Sequence, residues 1–404
     1  MVALGADLAL FLIGLAFASP STVLPAFAAA LGAPNVVIGA IPAVMTAGWF
    51  LPSLFVAGYT ETLSRKLPFI LRYTLWERVP FAALALAAFF VAATRPGLAI
   101  ALLLAMLLII TGVGGMLMPA WMDVIGRTIP TTLRGRFFAT TNLIASAGGL
   151  AGSFLTAAIL RSIPAPHGFG VCFLIATVFV GLSYIALAVT REPVATSTPA
   201  ARSLRSYLRS IPGLLRRHRN FTWFLVARAC GAVGGVTGAF YTVYALKALV
   251  APAWQVGLFT ALLFAGQIIG NLTFGWLSDR AGHRVVIIIG TVSITAANML
   301  TLVAGSLDAF GLVFVLAGIS GAAVNVSVQN VLLEFAPTVG ERPTYIGVGN
   351  TAMAPVMFAA PLLAGVIADR QGFVQVFSLG ALFGAVAVLL LVTRVREPRH
   401  ASVI

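Results

Sequence analysis

The chain has 404 residues, of which 60% are apolar and only 9% are charged, whereas soluble globular domains are about 45–50% apolar and about 25% charged. The mean hydropathy is +1.03, and the apolar character extends over the whole chain, which excludes a soluble enzyme with a single membrane anchor. The formal net charge is +14, but binding to nucleic acid would need a solvated basic domain, for which the apolar segments leave no room. The composition therefore indicates a membrane protein with no nucleic-acid partner.

Twelve apolar segments of helical length follow one another along the chain. They cover residues 3–31, 36–59, 68–93, 98–123, 136–160, 168–190, 221–249, 255–277, 285–306, 309–335, 343–367 and 373–393. Segments of this length without period-two alternation satisfy their backbone polar groups in lipid only as helices. We therefore predict an all-α membrane protein with twelve transmembrane helices, called spans 1–12 in chain order.

The first twenty residues also resemble a signal peptide. No basic residue precedes the apolar run, however, and Asp7 interrupts it, so we interpret this segment as span 1. Met1 then lies almost at the membrane edge, which leaves open whether a short cytoplasmic leader precedes it.

The basic residues are distributed asymmetrically between the loops. With both termini in the cytoplasm, eighteen of the 25 Lys and Arg residues lie on the cytoplasmic side and four on the other. The positive-inside rule therefore predicts cytoplasmic termini and a location in the cell (inner or plasma) membrane. The remaining three, Arg72, Arg78 and Arg228, fall within spans.

The long arginine-rich stretch 191–220 divides the chain near its middle. We interpret it as a cytoplasmic linker between a bundle at 1–190 and a bundle with a short tail at 221–404. Its arginines are expected to lie against the anionic inner leaflet; a site for a regulatory partner is the alternative.

The two halves match at nearly constant offsets. At an offset of 218, Pro34, Gly39, Ala47, Gly48, Glu61 and Lys66 fall on Pro252, Gly257, Ala265, Gly266, Asp279 and Arg284; at 208, Arg134 and Asn142 fall on Arg342 and Asn350. The tripeptide REP also recurs, at 191–193 and 396–398. Two helical halves in the same orientation are typical of parallel-repeat transporters, so we predict two pseudo-symmetric six-helix bundles.

The loop between spans 8 and 9 reads GWLSDRAGHR at 275–284. It resembles the signature loop of the major facilitator superfamily (MFS), with a glycine, an acid four residues on and then basic residues. The first-half copy, GYTETLSRK at 58–66, has Glu61 in place of Asp and lacks the second glycine. PTTLRGRFFATTN at 130–142 is similar to the junction after span 4 in this superfamily, and 336–350 repeats it less perfectly. With the spans and the repeat, the resemblance covers essentially the whole chain, and it implies the MFS fold and a permease that works by alternating access.

These loops supply a set of predicted gating residues. Their charges would hold one conformation through bonds among themselves and to a facing helix terminus, and Arg134 and Arg342 are expected partners of the acidic loops. The set comprises Gly58, Glu61, Arg65, Lys66, Arg134, Gly275, Asp279, Arg280, Arg284 and Arg342. The alternative is that both loops are simple positive-inside hairpins.

Charges inside spans are costly in lipid and usually have a function. Glu77 lies eleven residues beyond Lys66, roughly 16 Å along a helix. It is a candidate coupling residue for protons or substrate, or a member of a structural ion pair; we favour the pair because span 3 is peripheral in the MFS fold. Neighbours at i and i+1 do not face each other on a helix, so Arg78 is expected to pair with another element.

Asp7 in span 1 is the second coupling candidate, and Arg228 in span 7 lies at a similar level. The sequence leaves three interpretations of Arg228 open. It forms a gating pair with Asp7, it contacts an anionic substrate, or its side chain snorkels to the inner surface.

Polar uncharged side chains cluster mainly in the second half, several of them at i, i+4 spacing, which places them on one helix face. In the MFS fold they would line a midplane substrate cavity, although interhelical hydrogen bonding alone would need the same residues. The candidates, with Arg228, are Thr237, Tyr241, Tyr244, Gln267, Asn271, Asn325, Gln329, Asn142, Asn350 and Trp121.

The same residues bear on the function class. The only lysines, Lys66 and Lys247, follow no phosphate-binding glycine loop, and neither the four histidines nor the two cysteines show metal-site or disulfide spacing. We therefore expect no cofactor, metal or enzyme activity. The predicted function is secondary active transport of a small solute, neutral or amphiphilic, by a monomer in the bilayer, with protons as a candidate coupling ion. A non-transporting sensor or scaffold is the alternative, and a membrane-embedded lipid-modifying enzyme is a weaker one.

Overall fold

The computed structural model of the chain describes residues 1–61, 63–192, 213–337 and 341–398. Within these ranges, the side chains of 53–55, 57–61, 131–132 and 342–343 lie outside the description. The regular structure of the described residues is helical and contains no strand, so the predicted all-α class is confirmed.

Spans 1–6 are formed by helices α1 to α8. Their bounds are α1 (Val2–Phe17), α2 (Val23–Ala30), α3 (Asn35–Glu61), α4 (Leu67–Tyr73), α5 (Leu75–Leu86), α6 (Pro96–Thr128), α7 (Thr131–Ser162) and α8 (His167–Ala188). A π-helical turn, Ala87–Val91, continues α5.

Spans 7–12 are formed by helices α9 to α16. Their bounds are α9 (Arg219–Gly235), α10 (Gly238–Lys247), α11 (Gln255–Ala281), α12 (His283–Val303), α13 (Leu307–Glu334), α14 (Arg342–Thr351), α15 (Ala354–Arg370) and α16 (Phe373–Thr393). In the described part of the chain, eleven helical segments are long and apolar enough to cross a membrane, and Val2–Phe17 is a shorter apolar helix that begins span 1.

Spans 1 and 7 are each interrupted at corresponding positions of the two halves. Between α1 and α2 lie residues 18–22, which include Pro20, and between α9 and α10 lie Val236 and Thr237. The offset of 218 places Ser19 on Thr237. Because proline has no backbone N–H and breaks the helical ladder, Pro20 explains the first interruption. Matching interruptions in the two repeats of a transporter point to its binding region.

Spans 3 and 11 are also interrupted, although their sequences predict continuous helices. In span 3 the carbonyl of Thr74 accepts hydrogen bonds from the backbone N–H of Glu77 and from the Arg78 side chain. A buried side chain therefore supplies the polar partner that permits this break between α4 and α5. In span 11 the break lies at Ala352 and Met353.

The chain forms two compact units, Met1–Ala201 with Pro252–Ala261 and Arg202–Ala251 with Leu262–Ile404. In the first unit, α1 packs against α7 and α8, α3 packs against α6, and α5 contacts α6 and α8. In the second unit, α12 packs against α13 and α16, and α16 also contacts α9. Most of the predicted linker 191–220 lies outside the described residues.

Glycines allow equivalent close helix crossings in each unit. A Cβ on Gly48 of α3 would overlap the Thr111 side chain of α6, and a Cβ on Gly266 of α11 would overlap the Val315 carbonyl of α13. Small residues let helix backbones approach closely in membranes. Close helix packing therefore explains why glycine occurs at both of the repeat-related positions, Gly48 and Gly266.

Candidate functional site

Asp7 and Arg78 form a buried ion pair in the first unit. Nη2 of Arg78 on α5 lies 3.0 Å from Oδ1 of Asp7 on α1, and the two side chains are 7% and 6% exposed. The Ser183 hydroxyl of α8 donates to the same Asp7 oxygen at 2.6 Å, and Nε1 of Trp121 on α6 donates to the other at 3.2 Å. Four helices thus converge on one carboxylate.

Glu77 is the second acid of this group. Its Oε2 accepts from the Thr74 hydroxyl at 3.0 Å and lies 3.5 Å from Nη1 of Arg78, which also donates to the Thr74 hydroxyl. We call Asp7, Thr74, Glu77, Arg78, Trp121 and Ser183 the buried charge cluster.

Arg78 does pair with another element, as expected from helix geometry. Arg78 also contacts the adjacent Glu77, although neighbours at i and i+1 do not face each other on a regular helix. The contact forms at the break at Thr74, where the helix hydrogen bonds are interrupted and the Arg78 side chain turns back toward Thr74 and Glu77. The cluster holds two carboxylates and one guanidinium, so without an added proton its net charge is −1.

A cavity of about 250 Å³ opens beside the cluster within the first unit. Its polar end is formed by Asp7, Thr74, Glu77 and Arg78, and its remaining lining is mainly aliphatic and aromatic. This side of the molecule therefore combines an apolar chamber with a fixed charge group, the combination typical of small-molecule sites.

Arg228 is the charged residue of span 7 in the second unit. Its Nη1 donates to the carbonyl of Gly349 at 2.9 Å, and its Nη2 lies 3.5 Å from Oδ1 of Asn350. The carbonyl of Gly349 is available because the break in span 11 diverts the Met353 N–H to the carbonyl of Asn350. Among the described residues no carboxylate pairs with Arg228. The structure thus gives Asp7 and Arg228 separate partners, each within its own unit.

Thr237 and Tyr241 join a buried hydrogen-bonded group at the break in span 7. The Tyr241 hydroxyl donates to Oδ1 of Asn298 at 2.7 Å and lies 3.0 Å from the Thr237 hydroxyl. Nδ2 of Asn298 donates to the carbonyl of Gly234 at 2.9 Å. Asn298 is a member that the sequence prediction missed, because its amide lies singly in span 9 without a patterned neighbour.

The other predicted cavity residues lie outside this hydrogen-bonded group. Tyr244 packs among phenylalanine rings, including those of Phe310 and Phe377. Gln267, Asn271 and Asn350 are half-buried, whereas Asn142, Asn325 and Gln329 are exposed. Their role in binding stays a prediction.

The gating residues of the first unit are organised by an acid outside the predicted set. Glu192, after α8, accepts from the backbone N–H groups of Lys66 and Leu67 at 2.8 Å, and its side chain is 2% exposed. It thereby caps the start of α4. The Lys66 ammonium lies 2.6 Å from Oδ2 of Asp123, which also pairs with Arg127.

The second unit repeats this cap. Glu397 accepts from the backbone N–H of Arg284 at 3.2 Å, and Gly282, with a φ of +88°, leaves no room for a Cβ beside the Glu397 carboxylate. The Arg284 side chain donates to the carbonyls of Leu391 and Val392 at 2.9 Å, at the end of α16. This is the kind of helix-terminus contact expected of the signature loop.

The remaining gating residues have other partners. Arg134, expected to pair with an acidic loop, donates to the carbonyls of Gly126 and Ile129 at the end of α6. Arg280 stacks 4.3 Å above the Trp276 ring, and Arg65, Gly275 and Asp279 are at least partly exposed. Gly58, Glu61 and the Arg342 side chain lie outside the described side chains.

Glu192 and Glu397 could have been found from the sequence. They are the acids of the repeated REP tripeptide, and the residues whose N–H groups they accept from, Lys66 and Arg284, are themselves repeat partners. The recurrence of REP therefore marks a recurrent helix cap.

We predict that Glu192→Gln destabilises the purified protein by about 1.5–3 kcal/mol, because a neutral amide replaces a buried carboxylate that accepts backbone hydrogen bonds. Glu397→Gln should cost less, because its bond to the Arg284 N–H, at 3.2 Å, is longer than the bonds that Glu192 accepts. Thermal unfolding in detergent measures both, with Asp308→Asn, an exposed acid, as the control. Equal stability of wild type and Glu192→Gln would contradict the capping role.

No group of three or more His, Cys, Asp or Glu side chains in the described residues is arranged to hold a metal ion.

Comparison with known proteins relates part of the chain to one family. Residues 237–403 match the family profile of the Major Facilitator Superfamily. A curated relative, an uncharacterized transporter of Buchnera aphidicola subsp. Schizaphis graminum (strain Sg), is 27% identical over 135 residues, or 33% of this chain and 34% of the relative. The alignment thus spans about a third of that relative's length.

Two solved structures show how far the fold extends. A mutant of the nucleoside transporter NupG has a TM-score of 0.73 at 15% identity, with 100% of both chains covered. A D-xylose-proton symporter has a TM-score of 0.71 at 16% identity, with 98% of both chains covered. At these identities the likeness shows the fold, which covers both halves.

The apolar helices and the fold indicate an integral membrane protein with the architecture of these solved transporters. The profile match covers residues 237–403 of the 404, and it supports the resemblance predicted from the loop motifs.

Proposed function

We propose that the protein moves a small solute across the cell membrane by alternating access and couples this movement to protons. The observation that carries the proposal is the pair of interrupted spans, 1 and 7, at repeat-related positions. Span 1 also carries Asp7, so one interrupted span contributes directly to the buried charge cluster.

The charge balance of the cluster supports proton coupling. Two carboxylates and one guanidinium in a low-dielectric interior are neutral only when one carboxylate is protonated, and burial strongly disfavours an uncompensated charge. Transfer of that proton to or from water therefore changes the electrostatic energy of four converging helices. The solved D-xylose-proton symporter gives proton coupling a precedent on this fold.

Arg228 provides a complementary group in the second unit. Its guanidinium is bound by carbonyl and amide oxygens, so it keeps a positive charge available to an anionic or strongly polar group of a solute. Of its three interpretations, substrate contact is the one that this geometry favours.

We further propose that both termini face the cytoplasm, because eighteen of the 25 basic residues then lie on that side. A green fluorescent protein fused to the C-terminus should fluoresce in cells, whereas a periplasmic alkaline phosphatase fusion should be inactive. The opposite pattern would reverse the orientation.

Transport itself is tested with purified protein in liposomes, screened against solute classes with and without an imposed pH gradient. We expect accumulation of one class that increases with the gradient, and loss of this gradient dependence in Glu77→Gln. Asp308→Asn removes an exposed acid and should behave as wild type. Binding of solutes without movement across the membrane would instead indicate a sensor or scaffold.

A further inference from the structure

We propose that the second unit binds a small monocarboxylate that carries a hydroxyl group near its carboxylate, through Arg228, Asn350 and Gln329. The inference deepens the proposed function by naming a substrate class, and its consequence for transport rests on that function. Binding itself involves only α9, α13 and α14 of the second unit, so it is measured without transport.

The charge of the site suits a solute with one negative charge. Arg228 lies nine residues beyond the start of α9 at Arg219, roughly 13 Å along the helix. Every other charged residue in the described helices α9 to α16 lies in the first or last turn of its helix. A monoanion would neutralise Arg228, whereas a second negative charge on the solute would stay uncompensated away from water, and a cation would be repelled.

The guanidinium of Arg228 keeps donors free for a carboxylate. It has five N–H groups, and in the described part of the chain its partners are the carbonyl of Gly349 and Oδ1 of Asn350. Nε of Arg228 has no hydrogen-bond partner among the described residues. Because a guanidinium can donate two parallel N–H bonds to one carboxylate, the free N–H groups of Arg228 match a planar carboxylate.

Two amide side chains extend the site from Arg228. Oδ1 of Asn350 lies 3.5 Å from Nη2 of Arg228 and 3.5 Å from Nε2 of Gln329, so one small molecule can contact all three side chains. Nδ2 of Asn350 and Oε1 of Gln329 have no hydrogen-bond partner within the described ranges. Nδ2 is a further donor for the carboxylate, and Oε1 is an acceptor for a hydroxyl O–H of the same solute.

The face of α13 that carries Gln329 is suited to contact with water. Asn325 and Gln329 are both exposed, and their i, i+4 spacing places them on one side of the helix. An exposed amide that faced lipid would lose its hydrogen bonds to water without replacing them. A hydrophilic solute can therefore approach Arg228 along this face.

The test uses purified full-length protein in detergent at neutral pH, with lactate and mandelate as probes of two sizes. Each 2-hydroxy acid is compared with its uncharged amide, lactamide or mandelamide, and with the acid that lacks the hydroxyl, propionate or phenylacetate. Malate serves as the dianion and choline as the cation, and calorimetry measures the affinities. We expect at least one of the two 2-hydroxy acids to bind about tenfold or more tightly than its amide, and about two- to tenfold more tightly than the acid without the hydroxyl. Malate and choline should bind more weakly.

Two neighbouring residues of α13 provide a matched pair of variants. Gln329→Leu removes the acceptor and should abolish the preference for the hydroxyl, while the preference for the acid over its amide remains. Asn330→Leu changes an exposed amide that donates to the Val326 carbonyl of its own helix and should bind as wild type.

Arg228→Gln should reduce the preference for the acid over its amide about tenfold or more, in line with loss of a charged hydrogen bond. A purely structural role of Arg228 would weaken the binding of acid and amide alike and leave this ratio unchanged.

In the wild type, absent binding of both 2-hydroxy acids, equal affinity for each acid and its amide, or tighter binding of choline would overturn the inference even if a variant fails to fold. Preferential binding of a 2-hydroxy acid without transport of any solute in liposomes would overturn only the proposed function. Proton-coupled transport of a solute with which neither 2-hydroxy acid competes would overturn only this inference.

Discussion

Replacing Arg78 with glutamine is expected to destabilise the protein by about 3–5 kcal/mol, the cost of removing one partner of a buried ion pair. The variant leaves Asp7 and Glu77 in a site where Arg78 supplies the positive charge, and it also removes donors to the Val180 carbonyl and the Ser183 hydroxyl. Thermal unfolding in detergent, followed by size-exclusion chromatography, measures the loss.

Two further variants test whether the destabilisation by Arg78→Gln comes from the loss of its ion pair. Arg72→Gln changes an exposed arginine of the same span and should leave stability unchanged. Asp7→Asn combined with Arg78→Gln should be less destabilised than the two single losses added together, because the double change removes the charges as a pair. Additive losses would show that Asp7 and Arg78 are not energetically coupled.

Replacing Arg228 with glutamine should abolish solute uptake without loss of expression. The guanidinium is bound only by a carbonyl and an amide among the described residues, so its charge stabilises the fold less than that of Arg78. A lost charged hydrogen bond to solute corresponds to about 1.5–3 kcal/mol, or roughly 10- to 150-fold in affinity.

Uptake by proteoliposomes with matched protein content measures the effect of Arg228→Gln. Arg228→Lys should retain partial uptake, because lysine keeps the charge without the planar fork. Unchanged uptake in Arg228→Gln would dismiss the substrate contact and leave snorkelling as the explanation.

The fold was predictable because lipid imposes a simple rule on the sequence. Long apolar segments in a membrane must be helices, and the repeat offsets give their grouping. The offsets also align Ser19 with Thr237, at the two interruptions. The breaks in spans 3 and 11 were not predictable, because side-chain hydrogen bonds such as that of Arg78 to the Thr74 carbonyl accompany them only in the folded bundle.

The sequence predicted most residues of the candidate site, but it did not predict which acid pairs with which base. Asp7, Glu77 and Trp121 were chosen as isolated polar groups in apolar helices, and the structure brings them together with Arg78. Which acid faces which base depends on the rotation of each helix, and the apolar stripe that fixes such rotation in soluble proteins is weak here, because lipid-facing and protein-facing surfaces are both apolar.

Proton movement driven by a solute gradient alone is the most direct measurement. Liposomes that contain the purified protein and a lumenal pH dye receive a gradient of the solute class found in the screen, at equal pH on both sides. We predict a change in lumenal pH with wild-type protein and with Asp308→Asn, and none with Glu77→Gln. Solute movement that leaves the lumenal pH of wild-type liposomes unchanged would contradict proton coupling through the buried charge cluster.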